Sequence, residues 1–258
     1  RTANLDAIQT TAIDTFTYQV TDAAGNSTTS TLTLNMTPVN DAAVIGGVST
    51  ASLTETNAAQ STSGTLTISD VDSAATFVAQ PGTAGTYGTF AIDTAGAWTY
   101  TASSAHNEFA AGTNYTDSIT VATADGTTQV ITVTIAGTND AAVITGTSTA
   151  SLTETNAVLT ASGTLSASDV DSSAAFVAQS NVAGSNGYGS FSIDAAGAWT
   201  YTANSAHNEF VAGTTYTDNI TVTSNDGTTS VVTISILGTN DAAVITGTKT
   251  GSITESNA

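Results

Sequence analysis

The chain has 258 residues, and 21 acidic side chains against 2 basic ones give it a formal net charge of −19. Nucleic acids and anionic membrane surfaces are therefore excluded as partners, because both require a basic patch. The chain has no cysteine for a disulfide or a thiolate metal site, and it has no apolar run approaching the ~18 residues that would suggest insertion into a membrane.

The predicted elements are all β-strands. Apolar residues make up 40% of the chain and alternate with polar ones, as in 117–125, where Ile119 and Val121 point to the same side. Such segments are rich in Val, Ile, Thr and Tyr, which strands favour, and no segment has a helical period. In the first complete unit, and correspondingly in the second, the pattern predicts strands at 43–54, 64–69, 75–79, 87–93, 97–102, 117–124 and 128–136. The sequence therefore predicts an all-β protein.

The sequence repeats itself with a period of about 100 residues. The pair Asn-Asp occurs at 40, 139 and 240, and "SDVDS", "AGAWTYTA" and "SAHNEF" each occur twice between these positions. The two copies differ in length only in a glycine-rich stretch, 79–88 against 178–189, which we expect to be a surface loop. We expect an excerpt of a longer chain with these divisions: 1–39, the last third of a preceding repeat; 40–139 and 140–240, two complete repeats; and 241–258, the first strand of a following repeat.

A unit of about 100 residues with seven short strands is typical of an immunoglobulin-like β-sandwich. We therefore predict seven-stranded sandwiches in tandem. Trp98 and Trp199 each follow a turn and begin a strand. We interpret them as core anchors rather than as platforms for sugar rings, because a buried indole can join two sheets.

Acidic residues occupy the same positions in both complete repeats, eight in each. Agreement of this kind suggests fixed roles, although a recent duplication would also copy neutral positions. The first repeat has Asp41, Glu55, Asp70, Asp72, Asp93, Glu108, Asp117 and Asp125, and the second has Asp140, Glu154, Asp169, Asp171, Asp194, Glu209, Asp218 and Asp226. We interpret Asp93 and Asp194 as turn formers. For Asp117 and Asp218, capping a turn and joining an ion site both remain open.

The alternating direction of the strands predicts where the acidic residues gather. Glu55 and Glu108 fall at the lower end of their sandwich, near the outgoing pair Asn139-Asp140, and Asp169, Asp171 and Asp226 fall at the upper end of the next sandwich. The equivalent candidates at the other repeat ends are Asn40, Asp41, Asp70, Asp72 and Asp125, and Glu154, Glu209, Asn240 and Asp241. We therefore predict that the junctions between repeats are metal sites.

A shared cation is the physical reason for such a cluster. Like charges ~4 Å apart repel by ~4 kcal/mol at an effective dielectric constant of 20, and almost no Lys or Arg is available here to offset this. Oxygen-only ligands on irregular turns with Asp-x-Asp spacing favour Ca²⁺ over zinc, copper or magnesium. The competing interpretation is a solvated acidic surface that keeps the chain soluble.

The motifs "GTND", "FAIDTAGAWTYTA" and "DSITVATADG" resemble the VCBS repeats of large bacterial surface proteins, which are similar in pattern to cadherin-type domains. The resemblance covers essentially the whole chain. It implies an extender region of a secreted RTX-type adhesin, held at the outer surface of a Gram-negative bacterium. Calcium would stiffen this region as it projects a binding tip in adhesion or biofilm formation.

The resemblance to cadherin-type domains also implies ligands. In the cadherin pattern, Glu55 and Glu154 match the acidic residue near the end of the first strand, and Asp70/Asp72 and Asp169/Asp171 match the Asp-x-Asp motif. Asp125 and Asp226 match the Asp that closes the sixth strand, and Glu108 and Glu209 match the Glu of the Asp-Arg-Glu motif. Two motifs depart from the pattern. His106 and His207 replace an Asp, and the linker reads Gly-Thr-Asn-Asp-Ala at 137–141. We therefore expect one or two ions per junction rather than three.

Other functional classes are less well supported. The alternative is that the repeats themselves bind glycan or another cell-surface ligand, although most aromatic residues sit at strand positions. Ice binding would need threonines in register on many stacked strands, which this period does not supply. No acid, base and nucleophile recur together, so we expect no enzyme. The expected partners are neighbouring repeats and calcium, and we expect a monomer whose terminal fragments can make end-to-end contacts.

Overall fold

A computed structural model describes residues 8–256. The chain divides between Asn139 and Asp140 into two compact units. The first unit contains β1 (Ala12–Thr21), β2 (Ser27–Met36), β3 (Val44–Gly47), β4 (Thr50–Thr54), β5 (Ser61–Ser69), β6 (Gln80–Ala84), β7 (Gly88–Ile92), β8 (Ala97–Ala102), β9 (Asn114–Ala122) and β10 (Thr128–Ala136). The second contains β11 (Val143–Gly146), β12 (Thr149–Thr153), β13 (Thr160–Ser168), β14 (Gln179–Ala183), β15 (Gly189–Ile193), β16 (Ala198–Ala203), β17 (Thr215–Thr223) and β18 (Thr229–Leu237). The described residues contain no helix, which confirms the prediction of an all-β chain.

Each complete repeat consists of two sheets whose apolar faces share one core. In the first repeat, β4-β10-β9 form a three-stranded sheet and β3-β5-β8-β7-β6 a five-stranded one. β4 runs parallel to β10, and the other pairs are antiparallel. The second repeat has the same arrangement in β12-β18-β17 and β11-β13-β16-β15-β14. The tandem immunoglobulin-like sandwiches are confirmed.

Trp98 lies at the centre of the first core, and Trp199 occupies the equivalent position in the second. Both indoles are 1% exposed, so the prediction of core anchors is confirmed. Nε1 of Trp98 donates a hydrogen bond to the carbonyl of Val48 at 2.7 Å. The ring therefore holds the connection between β3 and β4 while it packs against the inner faces of both sheets.

The predicted strand at 43–54 is divided into β3 and β4, which join different sheets. The break falls at Gly47, whose φ is +86° and whose missing Cβ would lie 2.4 Å from the carbonyl oxygen of Thr65. Only glycine fits a left-handed position with so close an approach of backbone. The first strand thereby crosses from the five-stranded to the three-stranded sheet.

Two further expectations for the repeat were wrong. The segment 75–79 is not a strand, because it makes only one bridge, from Phe77 to Thr123. The stretch from residue 79, which was predicted to be a loop, contains the edge strand β6. Pro81 is tolerated there because an edge strand has one side without ladder hydrogen bonds, and the register shifts between Gln80 and Thr83. Each repeat therefore has eight strands rather than seven.

Candidate metal centres at the ends of the repeats

The upper cluster of the first repeat comprises Asn40, Asp41, Asp70, Asp72 and Asp125, which are linked pairwise by hydrogen bonds at one end of the repeat. Oδ2 of Asp125 accepts a hydrogen bond from Ala43 N at 2.9 Å, and Oδ2 of Asp72 accepts one from Asp41 N at 3.1 Å. Oδ1 of Asp70 accepts the backbone N–H of Asp72 at 2.9 Å. The carboxylates thus anchor the incoming linker to the turns after β5 and β9.

The upper cluster of the second repeat comprises Asp140, Asp169, Asp171 and Asp226. Oδ2 of Asp226 accepts a hydrogen bond from Ala142 N at 2.9 Å, and Oδ1 of Asp169 accepts one from Asp171 N at 3.1 Å. Asp140 lies close enough to Asp171 for its charge to act on that carboxylate. The predicted ligands of the second repeat are therefore held by the same kinds of turn as those of the first repeat.

Hydrogen bonds lower the pKa of Asp125, in the β9–β10 turn, and of Asp226, its counterpart in the second repeat. The hydroxyl of Thr123 and the backbone N–H groups of Thr127 and Ala43 hold the pKa of Asp125 far below its usual value. The hydroxyls of Ser224 and Thr228 and the N–H of Ala142 do the same for the pKa of Asp226. Both carboxylates are therefore ionised at any pH at which a calcium site would operate.

The pKa values of Asp169 and Asp171 are shifted in opposite directions. Desolvation, followed by the hydrogen bond and the charge of Asp169, raises the pKa of Asp171. Desolvation also opposes ionisation of Asp169, but hydrogen bonds from Ser172 and from the Asp171 backbone leave its pKa lowered. Two carboxylates this close disfavour each other's charge, which a cation between them would relieve.

The lower cluster of the first repeat is built on Glu55, which is 2% exposed. Its backbone N–H donates to the carbonyl of Ala136 at 2.8 Å, which continues the β4–β10 pairing, and its Oε2 accepts a hydrogen bond from the hydroxyl of Thr138. In the second repeat, Oε2 of Glu154 accepts bonds from the backbone N–H and the hydroxyl of Thr239. The outgoing linker is thus tied to a buried carboxylate in both repeats.

Glu108 and Glu209 are placed differently from the other predicted ligands. Both are exposed, and Oε1 of Glu108 lies 2.8 Å from Nδ1 of His106, as Oε1 of Glu209 does from Nδ1 of His207. Nε2 of His106 lies 2.7 Å from the carbonyl of Tyr87. Both ring nitrogens face acceptors, which favours the imidazolium form. Desolvation opposes this charge, but the bonds to Glu108 and Tyr87 leave the pKa of His106 raised.

Asp117 and Asp218 cap a turn, which decides between the two roles that the sequence left open. Asp117 is buried and accepts the backbone N–H groups of Thr86, Tyr87 and Gly88 at 2.8, 2.9 and 3.1 Å, together with the hydroxyl of Tyr100 at 3.2 Å. Asp218 accepts the N–H groups of Asn186 and Gly189 in the second repeat. Desolvation and the charge of the adjacent Asp117 raise the pKa of Tyr100.

Two residue types at the lower ends were missed by the sequence analysis. Thr138 and Thr239 orient the buried glutamates through their hydroxyl groups. The side chain of Asn107 donates a hydrogen bond to Oδ1 of Asn57 at 3.4 Å, and its own Oδ1 is buried without a partner. A signal was available, since Thr precedes Asn-Asp at both repeat ends and Asn lies inside both "SAHNEF" motifs. Of the remaining predicted ligands, Asn139 and Asn240 are exposed, and Asp241 is half-buried.

The donor set suits a hard cation. Oε1 of Glu55 and of Glu154, and Oδ1 of Asp72 and of Asp171, are buried oxygen atoms without a hydrogen-bond partner. Asp93 and Asp194, by contrast, are exposed turn formers that accept backbone hydrogen bonds. Within residues 8–256, the structure gathers no group of three or more His, Cys, Asp or Glu side chains that could by themselves hold a metal ion.

Comparison with known proteins agrees with this architecture. A family model described as "bacterial cadherin-like domain" matches residues 40–137 and 139–238. Comparison with curated proteins finds no match. The solved structures to which the chain is similar include a five-domain extracellular region of protocadherin gamma B2, with a TM-score of 0.48 and 13% identity over 90% of this chain and 46% of that one.

Two other similar structures are a mouse cadherin-23 fragment of domains 22–24 and an adhesin of an Antarctic bacterium, whose description states that it is Ca²⁺-stabilised and binds ice. The cadherin-23 fragment has a TM-score of 0.42 and 12% identity over 93% of this chain and 78% of that one. The adhesin has a TM-score of 0.27 and 20% identity over 89% of this chain and 57% of that one. The chain spans 66%, 58% and 46% of three protocadherin structures that it matches.

The fold and the repeated sequence define tandem cadherin-like domains. The chain belongs to the bacterial cadherin-like domain family, whose model matches it in two tandem copies. Cadherin-like adhesin domains are extracellular and typically non-enzymatic. None of the described residues forms a helix long and apolar enough to cross a membrane.

Proposed function

We propose that these repeats are calcium-stabilised extender domains of a bacterial surface adhesin. In this role they space a binding tip from the outer surface of a Gram-negative cell, in adhesion or biofilm formation. The chain takes part in no catalysis. Calcium binds at the ends of the repeats, where one sandwich is joined to the next along the chain.

The observation that carries this proposal is the set of buried carboxylate oxygens without partners at both ends of each repeat. An unpaired buried carboxylate is costly because it has lost its water without gaining a donor or a cation. The sequence offers only two basic side chains as counter-ions, neither of them near these positions in the chain. Divalent ions bound at the ends of the repeats would satisfy these oxygen atoms of Glu55, Asp72, Glu154 and Asp171.

The chemistry favours calcium among the divalent ions. Every candidate ligand atom is an oxygen, from Asp, Glu, Asn or the backbone, which excludes the softer metals that prefer nitrogen or sulfur. The ligands sit on turns and linkers rather than in a preformed octahedron, which suits the flexible six-to-eight coordination of Ca²⁺. When bound, the ion would neutralise the carboxylates and add a cross-link to the hydrogen bonds that already join each linker to its repeat.

The chain order divides the ligands of a junction between two repeats. Glu55 and the Thr138 that orients it belong to the end of one repeat, and Asp140, Asp169, Asp171 and Asp226 belong to the start of the next. Glu108 is a weaker candidate, because its carboxylate already pairs with His106. We therefore propose a site with contributions from consecutive repeats, holding one or two ions.

The alternative function, direct binding of glycan by each repeat, has less support. Trp98, Trp199, Tyr100 and Tyr201 are almost fully buried. These aromatic rings serve the core and are not available as stacking surfaces for sugars.

Small-angle scattering and a parallel thermal melt test the proposal, in millimolar calcium and then in excess chelator. Chelation should lower the melting temperature and turn a stiff particle into a flexible one, and magnesium should not restore it. Asp169→Ala with Asp171→Ala should reproduce the chelated state in calcium while each sandwich remains folded. Glu255→Gln, an exposed acidic position outside the clusters, is the matched control and should behave as the parent.

Scattering dimensions and melting temperature that do not change on chelation would contradict the proposal. The acidic residues would then serve solubility, and the repeats would have to be studied as binding modules. A response equal in calcium and magnesium would reject the assignment to calcium while leaving a divalent site.

A further inference from the structure

A cavity of about 370 Å³ opens on the outward face of the five-stranded sheet in the second repeat. Ser192 of β15 and Thr200 of β16 face each other across these strands and line the cavity, together with Asp194 in the turn that joins them. Pockets for small ligands usually have volumes of about 300–1,000 Å³. The cavity is therefore large enough for a small organic ligand, and none of its lining residues belongs to the predicted metal ligands.

A β-bulge in the edge strand β14 forms one side of the cavity. The register shifts between Gln179 and Val182, so that Ser180 and Asn181 together face Ser192. Asn181 N donates a hydrogen bond to Ser192 Oγ at 3.0 Å, and φ of Asn181 is +52°. Left-handed residues other than glycine are uncommon, and bulges are frequent beside functional sites. Both features mark this edge as a candidate binding site.

The first repeat has the same bulge without these hydroxyl groups. Its edge strand β6 shifts register at the corresponding place. Pro81 stands in place of Ser180, Ala91 in place of Ser192, and a glycine in place of Asn181, while the other residues that line the cavity have identical counterparts. The lining therefore differs between the repeats only in the two serines, which provides an internal comparison.

The residues that line the cavity are rich in hydrogen-bond acceptors. Oδ1 of Asp194 accepts hydrogen bonds from the backbone N–H groups of Ala196 and Ala198 at 3.0 and 2.9 Å, and its Oδ2 accepts none from the described residues. Nε2 of Gln179 donates to the carbonyl of Thr221 at 3.2 Å, which leaves Oε1 of Gln179 as an acceptor. None of the lining residues is Lys or Arg. The cavity therefore offers one negative charge and several acceptor oxygens, with no cation among its lining residues.

We propose that this cavity binds an aliphatic primary ammonium group, as carried by a lysine side chain or a free alkylamine. Such a group has three donors and no acceptor, so it complements the carboxylate of Asp194 and the hydroxyl oxygens of Ser192 and Thr200. Its methylene chain packs against Ala178 and Ile193, which also line the cavity. The net charge of −19 raises the local concentration of cations around the protein. This site lies outside the calcium clusters, and the inference does not depend on the proposed function.

Nuclear magnetic resonance titration of the complete chain with butylammonium tests the proposal at constant ionic strength. The backbone amide signals of Ser192 and Thr200 should shift and saturate. Those of their counterparts Ala91 and Thr99 should need at least about a fivefold higher concentration, because the first repeat lacks the two hydroxyl groups. Butanol, which has the same chain without the charge, should give no saturable shift. Equal responses of the two repeats would reduce the effect to general attraction by acidic residues and would overturn the proposal. Saturable binding of butanol or of a hexose, without binding of the amine, would also overturn it.

Exchange of the differing residues between the repeats provides a second test. Ser180→Pro with Ser192→Ala should weaken binding in the second repeat to the level of the first, and Pro81→Ser with Ala91→Ser should strengthen binding in the first. Asp194→Asn should weaken binding about fivefold, the upper range for an exposed ion pair, while its amide oxygen can still accept the hydrogen bonds of the turn. The same spectra show whether each variant is folded. Affinities unchanged in the exchange variants, or in Asp194→Asn, would contradict the proposed site.

A second probe distinguishes the two sources of the ammonium group. Lysine blocked at its α-amino and carboxyl groups carries the same ammonium and methylene chain on a peptide backbone. Binding of blocked lysine as well as butylammonium would identify a lysine side chain as a ligand, and binding of butylammonium alone would restrict the site to free amines. Binding of neither probe would overturn the proposal. The titrations are run in calcium and again in chelator and should agree, so this test and the calcium test fail independently.

Discussion

Thr138 donates a hydrogen bond from its hydroxyl to Oε2 of Glu55, a residue 83 positions earlier, and Oε1 of the same carboxylate remains buried without a partner. Thr239 and Glu154 repeat this relationship in the second repeat. The threonine of the outgoing linker thus orients a buried carboxylate and leaves one of its oxygens available to a cation.

Glu55→Gln should uncouple the stability of the first repeat from calcium. In chelator the variant should be as stable as the parent or more stable by about 1 kcal/mol, because a neutral amide avoids the cost of an unpartnered buried charge. In calcium it should lose most of the ion-dependent rise in melting temperature. Thermal melts with and without calcium measure both effects. A full calcium response in Glu55→Gln, equal to that of the Glu255→Gln control, would exclude Glu55 as a ligand.

Thr138→Val should weaken calcium binding without unfolding the repeat. Valine keeps the shape of threonine but removes the hydroxyl that orients Glu55, and loss of such a supporting bond typically costs about tenfold in metal affinity. Calorimetric titration with calcium measures the change. Thr134→Val, a hydroxyl-to-methyl exchange on the outward side of β10, is the matched control. Equal affinities for the two variants would show that the hydroxyl has no orienting role.

Asp117→Asn should destabilise the first repeat by about 3 kcal/mol, because the amide presents N–H groups to backbone donors and leaves some of them unpaired. Denaturant unfolding of the variant measures this loss. Asp93→Asn is the comparison, since Asp93 also accepts backbone hydrogen bonds but is exposed, where water can replace a lost bond. Similar losses in the two variants would argue against a special role for the buried cap.

Gly64→Ala should destabilise the first repeat by about 2 kcal/mol through overpacking. The added Cβ would lie 2.6 Å from Cζ2 of Trp98, a ring held in place by its bond to Val48. Gly82→Ala is the control, because the nearest atom to its Cβ is a methyl carbon of Thr89 at 3.9 Å. Denaturant unfolding followed by tryptophan fluorescence should separate the variants, and equal stabilities would show that the indole can move aside.

His106 should make the stability of the first repeat depend on pH near neutrality. Its pKa is raised in the folded protein, so its contribution is complete below the unfolded value of about 6.5 and is lost as the pH rises through the folded value. Melting temperatures in chelator from about pH 6 to pH 8.5 should fall more steeply for the parent than for His106→Asn. Asparagine tolerates the left-handed backbone at this position, where φ is +61°. Parallel profiles would contradict this assignment.

Local sequence determined most of the fold. The alternation of apolar residues placed β8 at Ala97–Ala102 and β10 at Thr128–Ala136 within the predicted limits, because a half-buried strand needs a two-residue period. The repeat placed equivalent acidic residues at equivalent ends, and the upper clusters assemble as the strand directions require. Trp98 was predicted to be buried because a large ring at the start of an inward-facing strand has no other low-energy location.

Tertiary structure decided what depends on a neighbour distant in the chain. The segment 75–79 is as apolar as a strand, but it makes only one isolated bridge, between Phe77 and Thr123, and the next residues pair with β7 instead. The sequence does not distinguish Glu108 from the other carboxylates, but in the structure it pairs with His106. Asp117 instead accepts hydrogen bonds from the backbone of a turn about 30 residues earlier. Composition and period determine which faces are buried, because hydrophobic burial is not directional. The partner of each polar group depends on hydrogen-bond geometry, which only the folded chain provides.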